Sequence, residues 1–362
     1  MAAPSRRPPP RDAPTLTPEG ALPQRTSNDA VTAADVEQAL ARIRPYVRHT
    51  PLEHSPALSE RLRTDVYFKM ECWQVTGSFK PRISFSKLLT LTAAERERGV
   101  VASTAGGHGI GLAHAAQVLG VSASIFLPRS ADPRKVAVMR RYGAELTWFD
   151  SVEAARLAAR AESARSGRTF VSAYNDPAIV AGGGTVGLEI VQDLPEVATL
   201  VTGIGGGGLI SGSAIAIRSR NPGVEVWGVQ PEGSAVLAQW LAAGGPLEVP
   251  TVPSIADGLG AQVETDTITF PLLQRHIGQM HLVSEDEIRE AMVWALEEHQ
   301  LVLEPSGAAP IAPLLKATAG RGPLVVILTG RNIRRERYLE LVSSERGADS
   351  SQGRKVGRSD AR

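Results

Sequence analysis

Three short apolar runs in this chain break straight into loops of glycine, threonine and other small or polar residues. Val100 to Ser103 leads into Thr104-Ala105-Gly106-Gly107-His108-Gly109, and Thr199 to Thr202 leads into Gly203-Ile204-Gly205-Gly206-Gly207-Gly208. Leu324 to Leu328 leads into Thr329-Gly330-Arg331-Asn332. Each run reads as a strand and each loop as its exit from a sheet. Open parallel sheets bind ligands beyond the carboxyl ends of their strands, so the three loops are expected to converge on one cleft.

The rest of the core alternates helix and strand. Ala33 to Val47 reads as an amphipathic helix, Val66 to Met70 as a strand, Ala93 to Arg98 as a short helix, His108 to Leu119 as a helix closed by Gly120, and Ser124 to Leu127 as a strand. Helices over Pro133 to Tyr142, Val152 to Ser166, Thr185 to Gln192, Ser211 to Ser219 and Glu285 to His299 interleave with strands over Glu145 to Phe149 and Val224 to Val229 and an edge at Phe170 to Val171. The pattern is that of an α/β protein, without a tandem repeat.

Composition sets the scale. At 362 residues, 43% hydrophobic and 21% charged, there is apolar material for two domains of ordinary size. The 39 basic and 38 acidic side chains nearly cancel, so no broad field draws the chain to nucleic acid or an anionic membrane, and a small-molecule partner is favoured. Cys72 is the only cysteine, which excludes an intrachain disulfide framework and a multi-cysteine metal site and fits a reducing, cytoplasmic setting. No apolar run approaches the roughly 20 residues of a membrane span, and no signal-peptide core is visible at the start. Residues 1–28 and 343–362 carry too little apolar surface to offset the entropy of ordering and are expected to be disordered arms.

Chemistry is expected to centre on Lys80. Its lead-in, Thr76-Gly77-Ser78-Phe79, is small, polar and aromatic, an unusual setting for a solubilising lysine and a suitable one for an amine that forms an imine. Gly205 to Gly208 can form a nest, because successive N–H groups without β-carbons can point at an anion and the dipole of the helix opening near Leu209 adds to the attraction. The same glycines also suit a tight strand-to-helix turn; they lack the Gly-Lys-Ser/Thr of a nucleotide P-loop and fit the dinucleotide fingerprint loosely. A lysine of this kind together with a phosphate nest suggests a phosphorylated aldehyde cofactor. His108 reads as a helix start, His114 and Trp148 as packed residues, Cys72 as a small core residue, and Arg331 as a loop anchor or carboxylate contact. No histidine pair has zinc spacing.

The segment Lys69-Met70-Glu71-Cys72-Trp73-Gln74-Val75-Thr76-Gly77-Ser78-Phe79-Lys80-Pro81-Arg82 resembles the cofactor-lysine region of the threonine/serine dehydratase family of fold type II pyridoxal phosphate enzymes. The glycine loop, Ala256-Asp257-Gly258, Glu304-Pro305-Ser306-Gly307-Ala308 and Thr329-Gly330-Arg331-Asn332 resemble further motifs of that family in the same order, within residues 33–342. The resemblance implies a tryptophan synthase β-like fold of two open twisted α/β domains with pyridoxal 5′-phosphate in the cleft. Residues 29–97 and 174–342 would form the large cofactor-binding domain, and residues 98–173 a small mobile one.

It also implies roles. Lys80 would hold the cofactor as an imine and, once displaced by the substrate amine, take the Cα proton. Gly205, Gly206, Gly207 and Gly208 would bind the phosphate, and Phe79 would pack beside the ring. Thr329 would face the pyridine nitrogen and leave it largely unprotonated, which favours loss of a β-substituent. Thr104, Ala105, Gly106, Gly107 and His108 would hold the substrate carboxylate through backbone N–H groups and the Thr104 hydroxyl. Glu304 would lie near the cofactor or orient a loop, and Asp257 would approach the substrate side chain or cap a turn. Lys80, Thr104 and Glu304 form the expected catalytic set.

Three departures narrow this. Gly107 stands beside the cofactor where the family usually has asparagine, so a hydrogen bond to the phenolic oxygen is missing or replaced. Ala105 stands where serine racemases keep an acid/base serine, which disfavours racemisation. Gln230 and Val236 stand where cation-binding members place acidic ligands, so no strong divalent metal site is expected, although Glu232 is near enough to compensate.

The expected reaction is β-elimination from a β-hydroxy-α-amino acid such as L-threonine or L-serine, giving a 2-oxo acid and ammonia, in a cytoplasmic homodimer. Asp176 to Gly182 and the loop ending in Ile333 also resemble dehydratases of hydroxyectoine utilisation. A β-replacement synthase acting through aminoacrylate, a noncatalytic binding protein of the same fold and, more distantly, a nicotinamide oxidoreductase are the alternatives. With only about 20 polar residues after Val342, no appended feedback domain is expected.

Overall fold

The computed structural model describes residues 30–260 and 262–343. The arm expected at 1–28 and all but the first residue of the one expected at 343–362 lie outside them.

The strands among the described residues are β1 (Leu52–His54), β2 (Val66–Lys69), β3 (Val100–Ser103), β4 (Ala123–Pro128), β5 (Glu145–Phe149), β6 (Thr169–Phe170), β7 (Thr199–Gly203), β8 (Glu225–Pro231), β9 (Gln279–Val283) and β10 (Leu324–Ile327). They form two sheets, a six-stranded one in the order β1-β2-β10-β7-β8-β9 and a four-stranded one in the order β5-β4-β3-β6. β1 runs antiparallel to β2; the other pairings are parallel. The carboxyl ends of β2, β10, β7 and β8 therefore share one edge, and the loops after β7 and β10 leave from it, while the Thr104–Gly109 loop leaves β3 of the four-stranded sheet.

The inner strands β4, β7 and β10 are buried along their whole length, as suits parallel strands covered on both faces. Along β10, Val325 and Ile327 enter one core cluster with Leu200, Val226 and Trp240, while Leu324 and Val326 enter another with Phe68, Val201 and Met292. The period of two splits a single strand between two cores. Truncating Ile327 to alanine would cost about 2–5 kcal/mol.

Two helices differ instructively from expectation. The helix expected over Thr185 to Gln192 starts at Pro177 and runs to Asp193, with the Asp176 side chain accepting from the Ala178 N–H at 2.8 Å. Gly183 and Gly184 let this helix pack backbone to backbone on the Gly208–Arg218 helix, and Gly182 lets it close on the Lys80–Leu88 helix; a β-carbon on Gly212 would run into the Val180 carbonyl oxygen. The Lys80–Leu88 helix has no expected counterpart. Its Pro81, Arg82, Ile83, Ser84, Phe85, Ser86 and Leu88 are all buried, so it carries no apolar stripe to announce it.

Behind that helix lies a closed ionic cluster. Arg82 donates from Nε and Nη2 to the two Glu71 oxygens at 2.9 and 2.8 Å, and from Nη1 and Nη2 to the two Glu189 oxygens at 2.7 Å each. Lys69 Nζ adds 2.8 Å to Glu189 and a bond to the Thr50 carbonyl oxygen. All four charged side chains are buried. Although burial disfavours its charge, the Glu71 and Glu189 carboxylates hold the Arg82 guanidinium above its ordinary range.

Candidate active site

The loop after β2 is stitched to the loop after β10. The Cys72 N–H donates to the Leu328 oxygen at 2.7 Å, Phe79 to Thr329 at 3.1 Å and Arg331 to Gly77 at 2.9 Å, while Asn332 Nδ2 donates to the Thr76 oxygen at 3.0 Å. The Glu304 N–H donates to the Gly330 oxygen at 3.2 Å. Three motifs far apart in sequence are thus one rigid wall, and Lys80 opens its helix directly above it.

This wall, the Thr104–His108 loop and the glycine loop enclose a cavity of about 430 Å³. The structure brings together there every residue the sequence nominated: Phe79, Lys80, Thr104, Ala105, Gly106, Gly107, His108, Gly205 to Gly208, Asp257, Glu304 and Thr329. Gln230 lies outside it; its side chain donates to the Ile204 oxygen at 3.1 Å and accepts from the Ala238 N–H at 2.9 Å, so both amide ends are committed to backbone. Cys72 is buried in the core, and burial pushes its thiol up to about 12.

Lys80 Nζ sits 4.5 Å above the Phe79 ring centroid. Burial lowers its amine to about 8, with the Glu304 charge opposing the shift and the Lys135 charge adding to it. Burial raises Glu304 above the ordinary carboxyl range, Lys135 pulls it back, and Asp257 raises it again. His108 is buried beside Lys80, and that burial and the lysine charge depress the imidazole to about 3. It is neutral at working pH. With Nε2 donating to the Val171 oxygen at 3.2 Å, Nδ1 is a bare acceptor without a protein partner.

The Thr104–His108 loop is partly spoken for. The Thr104 N–H donates to Phe126, extending the β3–β4 ladder, and the Gly106 N–H donates to the Thr104 hydroxyl oxygen at 3.0 Å. Gly107 and His108 open the Gly107–Leu119 helix, whose first N–H groups have no intrahelical partner. A β-carbon built on Gly107 would meet only Lys80 Cγ, at 3.8 Å. This position faces the lysine and is not glycine for want of room.

The glycine loop curls at Gly207, whose φ of +85° is left-handed and suits glycine, and then becomes the first turn of the Gly208–Arg218 helix. A β-carbon on Gly206 would run into the Tyr174 ring. The loop is therefore a cradle of bare backbone at the positive end of a helix. At the opposite wall Thr329 is buried and its hydroxyl donates to the Ser306 oxygen at 3.4 Å.

Sequence reasoning missed Lys135, Tyr174 and Arg156, which also line the cavity. Lys135 Nζ donates to Asp257 at 2.7 Å and lies 3.7 Å from Glu304. One weak signal was present: Lys135 occupies the first turn of the Pro133–Arg141 helix, where the dipole disfavours a cation. Arg156 Nη1 lies 2.9 Å from Glu264, which Arg160 also contacts.

The family of pyridoxal-phosphate dependent enzymes matches this chain over residues 43–330. The chain is 39% identical over 306 residues to the L-threonine ammonia-lyase of Thermotoga maritima, covering 84% of this chain and 76% of that protein. Among solved structures it resembles the T.th. threonine deaminase, at 33% identity and a TM-score of 0.76 over 84% of this chain and 99% of that one. It also resembles maize serine racemase, at 30% identity and a TM-score of 0.82 over 87% of this chain and 98% of that one.

Proposed function

Because the chain belongs to the family of pyridoxal-phosphate dependent enzymes, within its threonine dehydratase group, we propose that it removes the β-hydroxyl of L-threonine or L-serine and releases a 2-oxo acid and ammonia. The observation that carries this reading is the pairing, in one cavity, of a buried lysine amine lowered to about 8 with a bare-backbone cradle at a helix N-terminus.

Both ends of pyridoxal phosphate have a fitting counterpart. The glycine loop, bare of β-carbons at a helix N-terminus, suits a phosphate, and the Ser78 Oγ and His108 Nδ1, buried at the cavity without partners, offer polar groups to a ligand. Gly205 to Gly208 would hold the phosphate, Phe79 would flank the ring and Thr329 would meet its nitrogen. When bound, the cofactor supplies a conjugated electron sink that makes the Cα hydrogen of an amino acid acidic.

The chain's own groups do the rest. Lys80 Nζ, its proton affinity lowered to about 8, takes the Cα proton. Ala105, Gly107 and His108 present backbone N–H groups to the substrate carboxylate, and the Thr104 hydroxyl, already accepting from Gly106, donates its hydrogen to it. Glu304 holds a carboxyl raised toward protonation close to Lys80, where it can buffer the proton that accompanies the leaving oxygen. Ala105 offers no acid on the loop opposite, which supports elimination over racemisation.

The same reading takes residues 98–173 as a unit that moves against the larger sheet, and the chain as a homodimer working in the cytoplasm. Among the described residues no helix is long and apolar enough to cross a membrane. Sedimentation analysis tests the dimer. The function is tested by assaying a panel of hydroxy, amino and acyloxy amino acids for 2-oxo acid, ammonia and D-enantiomer. Release of 2-oxo acid that vanishes in Lys80→Ala supports it, and no 2-oxo acid from any hydroxyamino acid defeats it.

A further inference from the structure

Lys135 is the one lysine besides Lys80 that lines the cavity among the described residues, and it reaches there from the other sheet's side. Its helix, Pro133–Arg141, follows β4 of the four-stranded sheet, whereas Asp257 and Glu304 belong to loops of the six-stranded one. Its ammonium is buried, at 2.7 Å from Asp257 and 3.7 Å from Glu304. Its stem lies on the carboxylate loop, because a β-carbon on Gly106 would fall 3.0 to 3.6 Å from Lys135 Cδ, Nζ and Cε. One helix turn earlier, the Asp132 carboxylate accepts from Arg334 Nε at 2.9 Å, a second tie across the same cleft.

We propose that Lys135 is a positioning residue of this site: its ammonium crosses the cleft to hold Asp257 and Glu304 beside Lys80 and, through its stem, seats the Thr104–Gly107 loop against them. The proposal deepens the ammonia-lyase reading and rests on it. Three things follow from the geometry. Asp257 is half-exposed, so without the ammonium it would turn to water. Glu304 would lose the charge that opposes its burial and take up a proton more readily. The loop would lose the side chain that covers Gly106. A ligand between loop and wall thus closes the two sheets around a charge already in place, and preorganisation of this kind acts on the rate of the chemical step more than on binding.

The test uses the full chain loaded with pyridoxal phosphate. Lys135→Met, which keeps the length and removes the charge, should lower kcat for 2-oxo acid release from L-threonine by about ten- to a hundredfold with KM changed by less than about threefold. Lys135→Arg should recover most of the loss, and Lys135→Met combined with Asp257→Asn should be little worse than Lys135→Met alone, since both remove the same contact. An unchanged kcat, an equal loss in the methionine and arginine variants, or fully additive losses would each overturn the proposal.

A protein that takes up the cofactor but releases no 2-oxo acid would sink the ammonia-lyase reading by itself. Lys135 is then judged by the visible absorbance of the bound cofactor as pH is varied. The charged or titratable groups that bear on Lys80 are Glu304, Lys135 and the neutral His108. Lys135→Met must displace that pH dependence and Lys135→Arg must not; no displacement in the methionine variant overturns the proposal.

Discussion

Arg82 and Lys80 stand two residues apart on one helix, each in a buried cluster of two cations with carboxylates, and the clusters differ in how completely their hydrogen bonds are used. Around Arg82, both Glu71 and Glu189 are gripped at both oxygens, and Lys69 fills the remaining space with 2.8 Å to Glu189. Around Lys80, Lys135 makes one short bond and one long approach at 3.7 Å, and Lys80 itself is left over an aromatic ring with its proton affinity lowered. The same residue types hold a scaffold where donors and acceptors balance and leave a buried amine of lowered proton affinity where they do not. The rigid cluster ties β2, the lysine helix and the Pro177–Asp193 helix into the base from which Lys80 projects.

The contrast is sharpest under substitution. Lys80→Ala should lower 2-oxo acid release by on the order of 10³-fold or more, with the thermal midpoint equal to or above that of the parent, because a poorly partnered buried amine is removed. Arg82→Met should do the reverse, costing about 3–5 kcal/mol in urea unfolding by stranding Glu71 and Glu189, while activity per folded molecule survives. If Lys80→Ala unfolds the protein and Arg82→Met leaves it untouched, the division between scaffold and reactive cluster is wrong.

Glu304→Gln comes next, with kcat expected to fall about a hundredfold and the urea midpoint to move little. Acidity probes the reactive cluster alone. Protein stripped of cofactor should capture pyridoxal phosphate more slowly as pH falls below about 8, because the protonated Lys80 amine has no lone pair with which to attack an aldehyde. Stopped-flow absorbance reads this, and a rate independent of pH between about 7 and 9, roughly one unit either side of that value, would contradict the lowered amine. The smallest effect belongs to the rim: Asp132→Asn removes a partly exposed tie to Arg334 and should change stability by less than about 1 kcal/mol.

What could be read from sequence follows from where the information lies. Strand runs and glycine loops announce themselves locally, through period and backbone freedom, so the three loops and Lys80 were legible before any contact was known. The strand over Glu145 to Phe149 and the helix over Val152 to Ser166 fall where the pattern put them. The Lys80–Leu88 helix did not show itself, since burial on every side erases the stripe that betrays a helix. Lys135 and Asp257 lie 122 residues apart, and Arg82 and Glu189 lie 107 apart. Polar partners at such separations leave no periodic trace, and only the packed chain shows that Lys135 shares the cavity of Lys80.

Gly107 separates foldability from chemistry at a single residue. Its φ lies outside the left-handed region and a β-carbon there would meet nothing but Lys80 Cγ, so the backbone does not itself require glycine while a bound molecule would register what replaces it. Selection on substrate range can therefore act at this position without first securing a compensating mutation elsewhere. A saturation library at this codon should yield mostly folded proteins that differ in what they convert.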